Sequence, residues 1–198
     1  FKQLNYLIKN KIFINNLISN VKSTIGLIKK KKFNSIILNY DENSDNFFRW
    51  YQQLIAESLG KKSKGIVPLI STMPKDNHSL LQLYLDGPRV NFFTFFNVKN
   101  DKTEKISNKI SQISKMYLKD KNLSRIIDAQ RIATERIFEI KKLPFRSFTV
   151  LKRSEETIGE LFCFFVLETI LLGKVLEINP FDQPSVELIK VETKKILT

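Results

Sequence analysis

Cysteine occurs once in this chain, at Cys163, and histidine once, at His78. A lone thiol excludes an internal disulfide framework and suits a reducing compartment such as the cytoplasm. It also leaves no His/Cys cluster with ligand spacing, so no metal site is expected. Neither G-x-G-x-x-G nor a Walker loop occurs, which argues against a nucleotide cofactor. No signal peptide is visible, and the chain starts at Phe1 rather than Met, as a piece of something longer would. Long apolar runs are scarce as well. The longest, Leu161 to Leu172, is too short to cross a bilayer and carries Glu168, so it reads as a buried helix and not as a membrane segment. Cys163 lies in that run and is expected to be a buried, inert thiol.

What is abundant is lysine. Lys and Arg total 33 against 20 Asp and Glu, a net charge of +13. The lysines are scattered, and only Lys29 to Lys32 is dense. With no zinc pattern, RNA-recognition signature or basic-region heptad beside them, nucleic acid is not the expected partner. A basic surface suits an anionic substrate. The 198 residues and 42% apolar content fit one cored domain, with or without an appendage.

Apolar residues at helical spacing from Leu4 to Ile28 predict one long helix or two shorter ones. "NSIILNY", "KGIVPLIST", "RVNFFTFFNV" and "FRSFTVLK" read as four strands, the third apolar enough to be buried on both faces. Between them lie helical patterns over 45–59, 76–85, 101–117, 124–142 and 155–176, with a last helix from Asp182, its N-cap, to Leu197. Alternating strands and helices predict an α/β fold. It should be a three-layer αβα sandwich, doubly wound and flavodoxin-like, with a mostly parallel sheet. Ligands in such folds sit at the carboxyl ends of the strands, where "STMPKDN" offers a weak phosphate-binding loop.

Three positions stand out chemically. His78 falls in the first turn of the 76–85 pattern, where the positive end of a helix dipole favours a neutral imidazole. Glu57 closes the 45–59 helix, an end where the dipole disfavours a carboxylate, which makes it a candidate general base; the plainer reading is an exposed Glu offset by Lys61 and Lys62. Gln183 and Lys190 are seven apart, two turns along one helix face. Taken singly, each also fits an ordinary amphipathic helix.

Together the segments are more specific. "WYQQLIAESLGKK", "DNHSLLQLYLDGP" and "LETILLGKVLEINPFDQPSVELIK" resemble, in that order, the C-terminal part of the glucose-6-phosphate isomerase family. The resemblance covers about residues 35–197. It implies a second sugar-isomerase (SIS) domain over 35–198, preceded by a helical linking region over 1–34. It implies interconversion of glucose 6-phosphate and fructose 6-phosphate through ring opening and a cis-enediol. By the same resemblance Glu57 is the base between C1 and C2, and His78 and Lys190 assist ring opening. Gln183 contacts the substrate. No cofactor and no metal are implied. The implied partners are the sugar phosphate, the N-terminal half of the same enzyme, and a second copy in a dimer whose His78 reaches the partner subunit's site.

The family's Ser/Thr-rich phosphate loop and its enediolate-stabilising arginine after Gly-Gly have no counterpart here. The chain by itself is therefore expected to be catalytically incomplete. A free-standing module that binds a sugar phosphate through Ser71, Thr72 and nearby amides is the alternative. Glu57, His78 and Gln183 are expected toward the carboxyl edge of the sheet, with His78 apart from Glu57 and Lys190 within one chain.

Overall fold

The computed structural model describes residues 2–99, 118 and 121–198, so the helix expected over 101–117 lies outside the described residues. Four strands, β1 (Asn34–Asn39), β2 (Val67–Thr72), β3 (Asn91–Val98) and β4 (Phe145–Val150), form a parallel sheet in the order β2-β1-β3-β4. Asn34 of β1 pairs with Val67 on one side and Asn91 on the other, and Phe93 pairs with Phe145. The four expected strands are all present. β2 is an edge strand, and this is why it tolerates Pro68.

The apolar stripe at the start becomes two helices, α1 (Lys2–Lys9) and α2 (Lys11–Lys29). Asn10 separates them, its side chain accepting from the backbone N–H groups of Ile12 and Phe13 as an N-cap. The remaining helices are α3 (Asp45–Leu59), α4 (Leu81–Asp86), α5 (Leu123–Ile140), α6 (Glu155–Leu176) and α7 (Pro184–Leu197).

Side chains alternate across a strand, so each strand feeds two cores. Ile37, Phe92 and Phe96 pack with Leu17 and Val21 of α2, Phe48, Tyr51 and Ile55 of α3, and Phe165 and Leu172 of α6. Ile36, Leu38, Phe93 and Phe95 pack on the other face with Tyr84 of α4 and Phe138 of α5. Phe138 meets Phe93 and Phe95 edge-on at 4.8 and 5.2 Å, the arrangement that aromatic quadrupoles favour. The result is the three-layer sandwich, with β3 buried on both faces as its composition predicts.

On α6 the buried stripe is Phe164, Phe165, Glu168, Thr169 and Leu172. Cys163 falls beside that stripe and is half-buried, not buried as expected. Glu168, only 2% exposed, is held by both terminal nitrogens of Arg146, while Arg146 Nε donates to Thr94 Oγ1 at 3.0 Å. Burial disfavours the charged guanidinium, but Glu168 outweighs it and holds Arg146 above its ordinary pKa.

Two geometric facts position the site. α3 starts at the carboxyl edge, where Asn39 Nδ2 donates to Asp45 Oδ1 at 2.6 Å. It ends at the amino edge, with Leu59 packed against Gly65 just before β2. α6 ends at the amino edge too, where Lys64 Nζ donates to the Leu176 carbonyl at 2.9 Å.

Candidate functional site

Glu57 sits in the last turn of α3, half-buried. Its two carboxylate oxygens each accept a neutral donor. Gln53 Nε2, one turn back, gives to Oε1 at 2.9 Å, and Gln183 Nε2 gives to Oε2 at 2.8 Å. A carboxylate offers about four lone-pair sites, so acceptor capacity remains. No ion pair to Glu57 is present among the described residues. Two carboxamides fix the group without cancelling its charge, which is what a proton acceptor needs.

Gln183 reaches Glu57 from the turn after α6. The helix beyond it begins at Pro184, not at Asp182, and Gln183 occupies the N-cap position without making a capping bond. Asp182 is not the N-cap because its carboxylate is engaged elsewhere: it pairs with Lys61 at 2.8 Å and accepts from Asn179 Nδ2 at 2.9 Å. Lys61 also donates to the Asn179 carbonyl at 2.6 Å. Lys61 thus does not offset Glu57, as the plainer reading of the sequence had it, but faces the turn.

Lys190 lies exposed on α7 and pairs with Glu187 at 2.6 Å one turn back. The structure brings Glu57 and Gln183 together but leaves Lys190 engaged on its own helix. No residue of α7 is buried.

His78 departs from expectation in its local structure. The 76–85 pattern is not one helix. A 3-10 turn spans Lys75–Asn77, His78 follows it as the C-terminal cap, and α4 starts only at Leu81. Asp76 braces this turn from its side chain, while its carbonyl accepts from the Leu80 N–H at 2.9 Å. Its carboxylate accepts from the Thr72 backbone N–H at 2.9 Å and from Ser79 Oγ at 3.2 Å, the local side-chain bonding that short acidic residues offer in turns. His78 is exposed and has no helix N-terminus beneath it.

The expected grouping at the carboxyl edge is also corrected. His78 follows the carboxyl end of β2, but Glu57 and Gln183 stand by the amino edge, because α3 and α6 both return there. A six-residue strand spans about 20 Å. Most polar groups at the carboxyl edge are paired with one another, although the buried Asn77 Oδ1 has no hydrogen-bond partner among the described residues. Ser71 Oγ is buried against Tyr84 OH at 2.6 Å, and Thr72 Oγ1 donates to Asp45 Oδ2 at 3.4 Å. With Asp45 and Asp76 beside these groups, "STMPKDN" is a poor anion cradle, which weighs against phosphate binding through Ser71 and Thr72. Burial raises the Tyr84 phenol above its ordinary pKa, so it stays neutral there. Among the described residues, no group of three or more His, Cys, Asp or Glu side chains could hold a metal ion. Among them, too, no helix is long and apolar enough to cross a membrane.

Sequence reasoning did not single out Gln53, and it gave Lys61 and Asp182 other roles, as an offset to Glu57 and as a helix N-cap. The signal was present: all three lie in the segments that carry the resemblance, Gln53 one helical turn before Glu57 and Asp182 next to Gln183.

Comparison with known proteins follows the same line. The family model described as phosphoglucose isomerase matches residues 22–198. The chain is 34% identical over 187 residues to a probable glucose-6-phosphate isomerase of Methanococcus maripaludis, covering 94% of the chain and 42% of that protein. It is 34% identical over 199 residues to the glucose-6-phosphate isomerase of Mycoplasmopsis pulmonis, covering 99% and 47%. The chain therefore spans less than half the length of these curated relatives. Among solved structures, a hypothetical protein from Thermus thermophilus superposes with a TM-score of 0.85 at 24% identity, over 100% of this chain and 48% of that one. A glucose-6-phosphate isomerase from Chlamydia trachomatis gives 0.65 at 17%, over 83% and 34%. At these identities the two structures speak for the fold.

Proposed function

The chain belongs to the phosphoglucose isomerase family, and on that premise we propose that it is the C-terminal, base-bearing part of an enzyme interconverting glucose 6-phosphate and fructose 6-phosphate. The observation that carries this reading is the Glu57 carboxylate, held by the neutral side chains of Gln53 and Gln183 with no cation on it among the described residues. In the open-chain aldose, Glu57 takes the proton from C2. The C–H electron pair forms the C1=C2 bond of the enediol as O1 gains a proton. The C1=C2 pair then takes the proton back at C1 while O2 gives up its proton and the C2=O bond forms, which gives the ketose. The net charge of +13 favours arrival of an anionic sugar phosphate.

His78 assists ring opening from the far edge of the sheet. Its distance from Glu57 within the chain fits a site completed by a second copy, with His78 serving the partner subunit. Lys190 serves ring opening as well, and leaves Glu187 to do so. The phosphate grip and the enediolate-stabilising cation come from outside this chain. Binding of a remote phosphoryl group supports orientation at the reacting carbon, so without it turnover falls and not affinity alone.

Two measurements test this. In the intact isomerase that carries this chain, Glu57→Gln keeps shape and lowers kcat at least about 10²-fold; near-normal turnover removes Glu57 as the base. The 198-residue chain by itself should give only background rates in a coupled assay. Turnover that Glu57→Gln abolishes in the chain alone would instead show a self-sufficient site.

A further inference from the structure

Resting on the reading of Glu57 as the base, we infer that Lys61 is a positioning residue that ties the turn at 179–182 to the end of α3 and thereby delivers the Gln183 carboxamide to Glu57. The Lys61 side chain is only 10% exposed, low for a residue type that is almost never buried unless paired. Its ammonium meets two acceptors of one turn, the Asn179 carbonyl at 2.6 Å and the Asp182 carboxylate at 2.8 Å. The turn is closed on itself by Asn179 Nδ2 on Asp182 Oδ2 at 2.9 Å and by the Phe181 N–H on Asn179 Oδ1 at 3.1 Å. The next residue is Gln183.

Nothing described in α7 does this work in its place. The helix buries no residue, and Gln183 makes no capping bond that would fix its own side chain. The route from Glu57 to Gln183 is short: the few residues from Glu57 to Lys61, one ammonium and one closed turn, whose start is seated on α6 by the Ile178 N–H on the Gly173 carbonyl at 2.9 Å. Lys64 acts separately, on the Leu176 carbonyl at the end of α6. Removing Lys61 thus leaves the anchor of α6 in place. The loop bearing both lysines passes through Lys62 and Ser63 at φ 53° and 55°, a region non-glycine residues seldom adopt, and so faces both ammonium groups toward α6 and its following turn. Catalytic geometry is sensitive to such support: a misplacement of about 1 Å can cost on the order of 10²-fold.

The test uses Lys61→Met, which keeps the stem and removes the ammonium. In the 198-residue chain, the Gln183 side-chain amide is followed by NMR. Its signal should move in Lys61→Met toward its position in Glu57→Gln, where the carboxylate acceptor is gone. In the intact isomerase carrying the chain, kcat should fall about 10- to 100-fold, with the thermal midpoint reported beside it. Asp182→Ala, at an exposed position, should move the amide in the same direction and serves if Lys61→Met does not fold. An unmoved Gln183 amide with kcat retained overturns the inference. If Glu57→Gln abolishes turnover while Lys61→Met retains it, the positioning role is wrong and the base reading stands. If Glu57→Gln retains turnover, the base reading is wrong, and the Gln183 amide alone then decides whether Lys61 positions it.

Discussion

Gln183 and Glu57 are 126 residues apart in the chain and 2.8 Å apart in the fold. The contact joins the end of α3 to the turn after α6, two segments that meet at the amino edge of the sheet. It is a neutral donor on a carboxylate, so it orients Glu57 and leaves its charge available. The ion pair beside it, Lys61 with Asp182, is displaced onto the supporting turn. Base and clamp are thus separated by four residues across the end of α3, each with its own partners.

The clamp has a defined acid limit. The Lys61 hydrogen bond, and then Asn179, hold the Asp182 carboxyl below its usual range. A depressed carboxylate contributes stability above its unfolded value, about 3.9, and loses it as pH falls through the lower folded value. The turn should therefore stay closed above the ordinary carboxylate range and loosen only in acid. An NMR titration of Asp182 checks this: its midpoint lies below that of a free aspartate and returns upward in Lys61→Met. A midpoint at or above the ordinary range would remove the ion pair from the account.

Arg146 and Glu168 should behave as a buried pair. Arg146→Met leaves a carboxylate that is 2% exposed without its cation, a change that costs about 3–5 kcal/mol. The double variant Arg146→Met with Glu168→Leu should recover most of that loss, because an apolar pair of similar volume has no desolvation penalty. Denaturant midpoints of the three proteins decide it. Equal losses in the single and double variants would mean that packing, not charge pairing, governs the site.

Gly65 is the glycine that the loop between α3 and β2 requires. Its φ is 106°, and a Cβ there would stand 2.3 Å from the Leu59 carbonyl oxygen. Gly65→Ala should lose more than about 1 kcal/mol. Because the loop carries Lys61 and Lys64, the Gln183 amide should also shift. Thermal unfolding and the same NMR signal measure both effects, and an unchanged melting temperature would show that the loop adapts.

Composition and pattern determined the layers. Four β-branched or aromatic runs became four strands, and the run of phenylalanines in β3 became the doubly buried strand, in which the polar Asn91, Thr94 and Asn97 are buried with hydrogen-bond partners on neighbouring strands. The segments bearing Glu57, His78 and Gln183 were legible as well, since short motifs survive in the one-dimensional string. Which edge each residue reached was decided only in three dimensions. α3 has 15 residues at about 1.5 Å rise and β1 has six at about 3.3 Å, so the helix just cancels the strand's advance and returns Glu57 to the amino edge. Spacing along the chain carries no such cancellation. Nor could it foresee that the pattern around His78 would divide into a 3-10 turn over Lys75–Asn77, braced by Asp76 on Thr72 and Ser79, and a helix from Leu81. The partner of Lys61 was hidden for the same reason. Lys61 is close to Glu57 in the chain and far from Asp182, and only the packing of α6 beside α3 makes the distant carboxylate the nearer one.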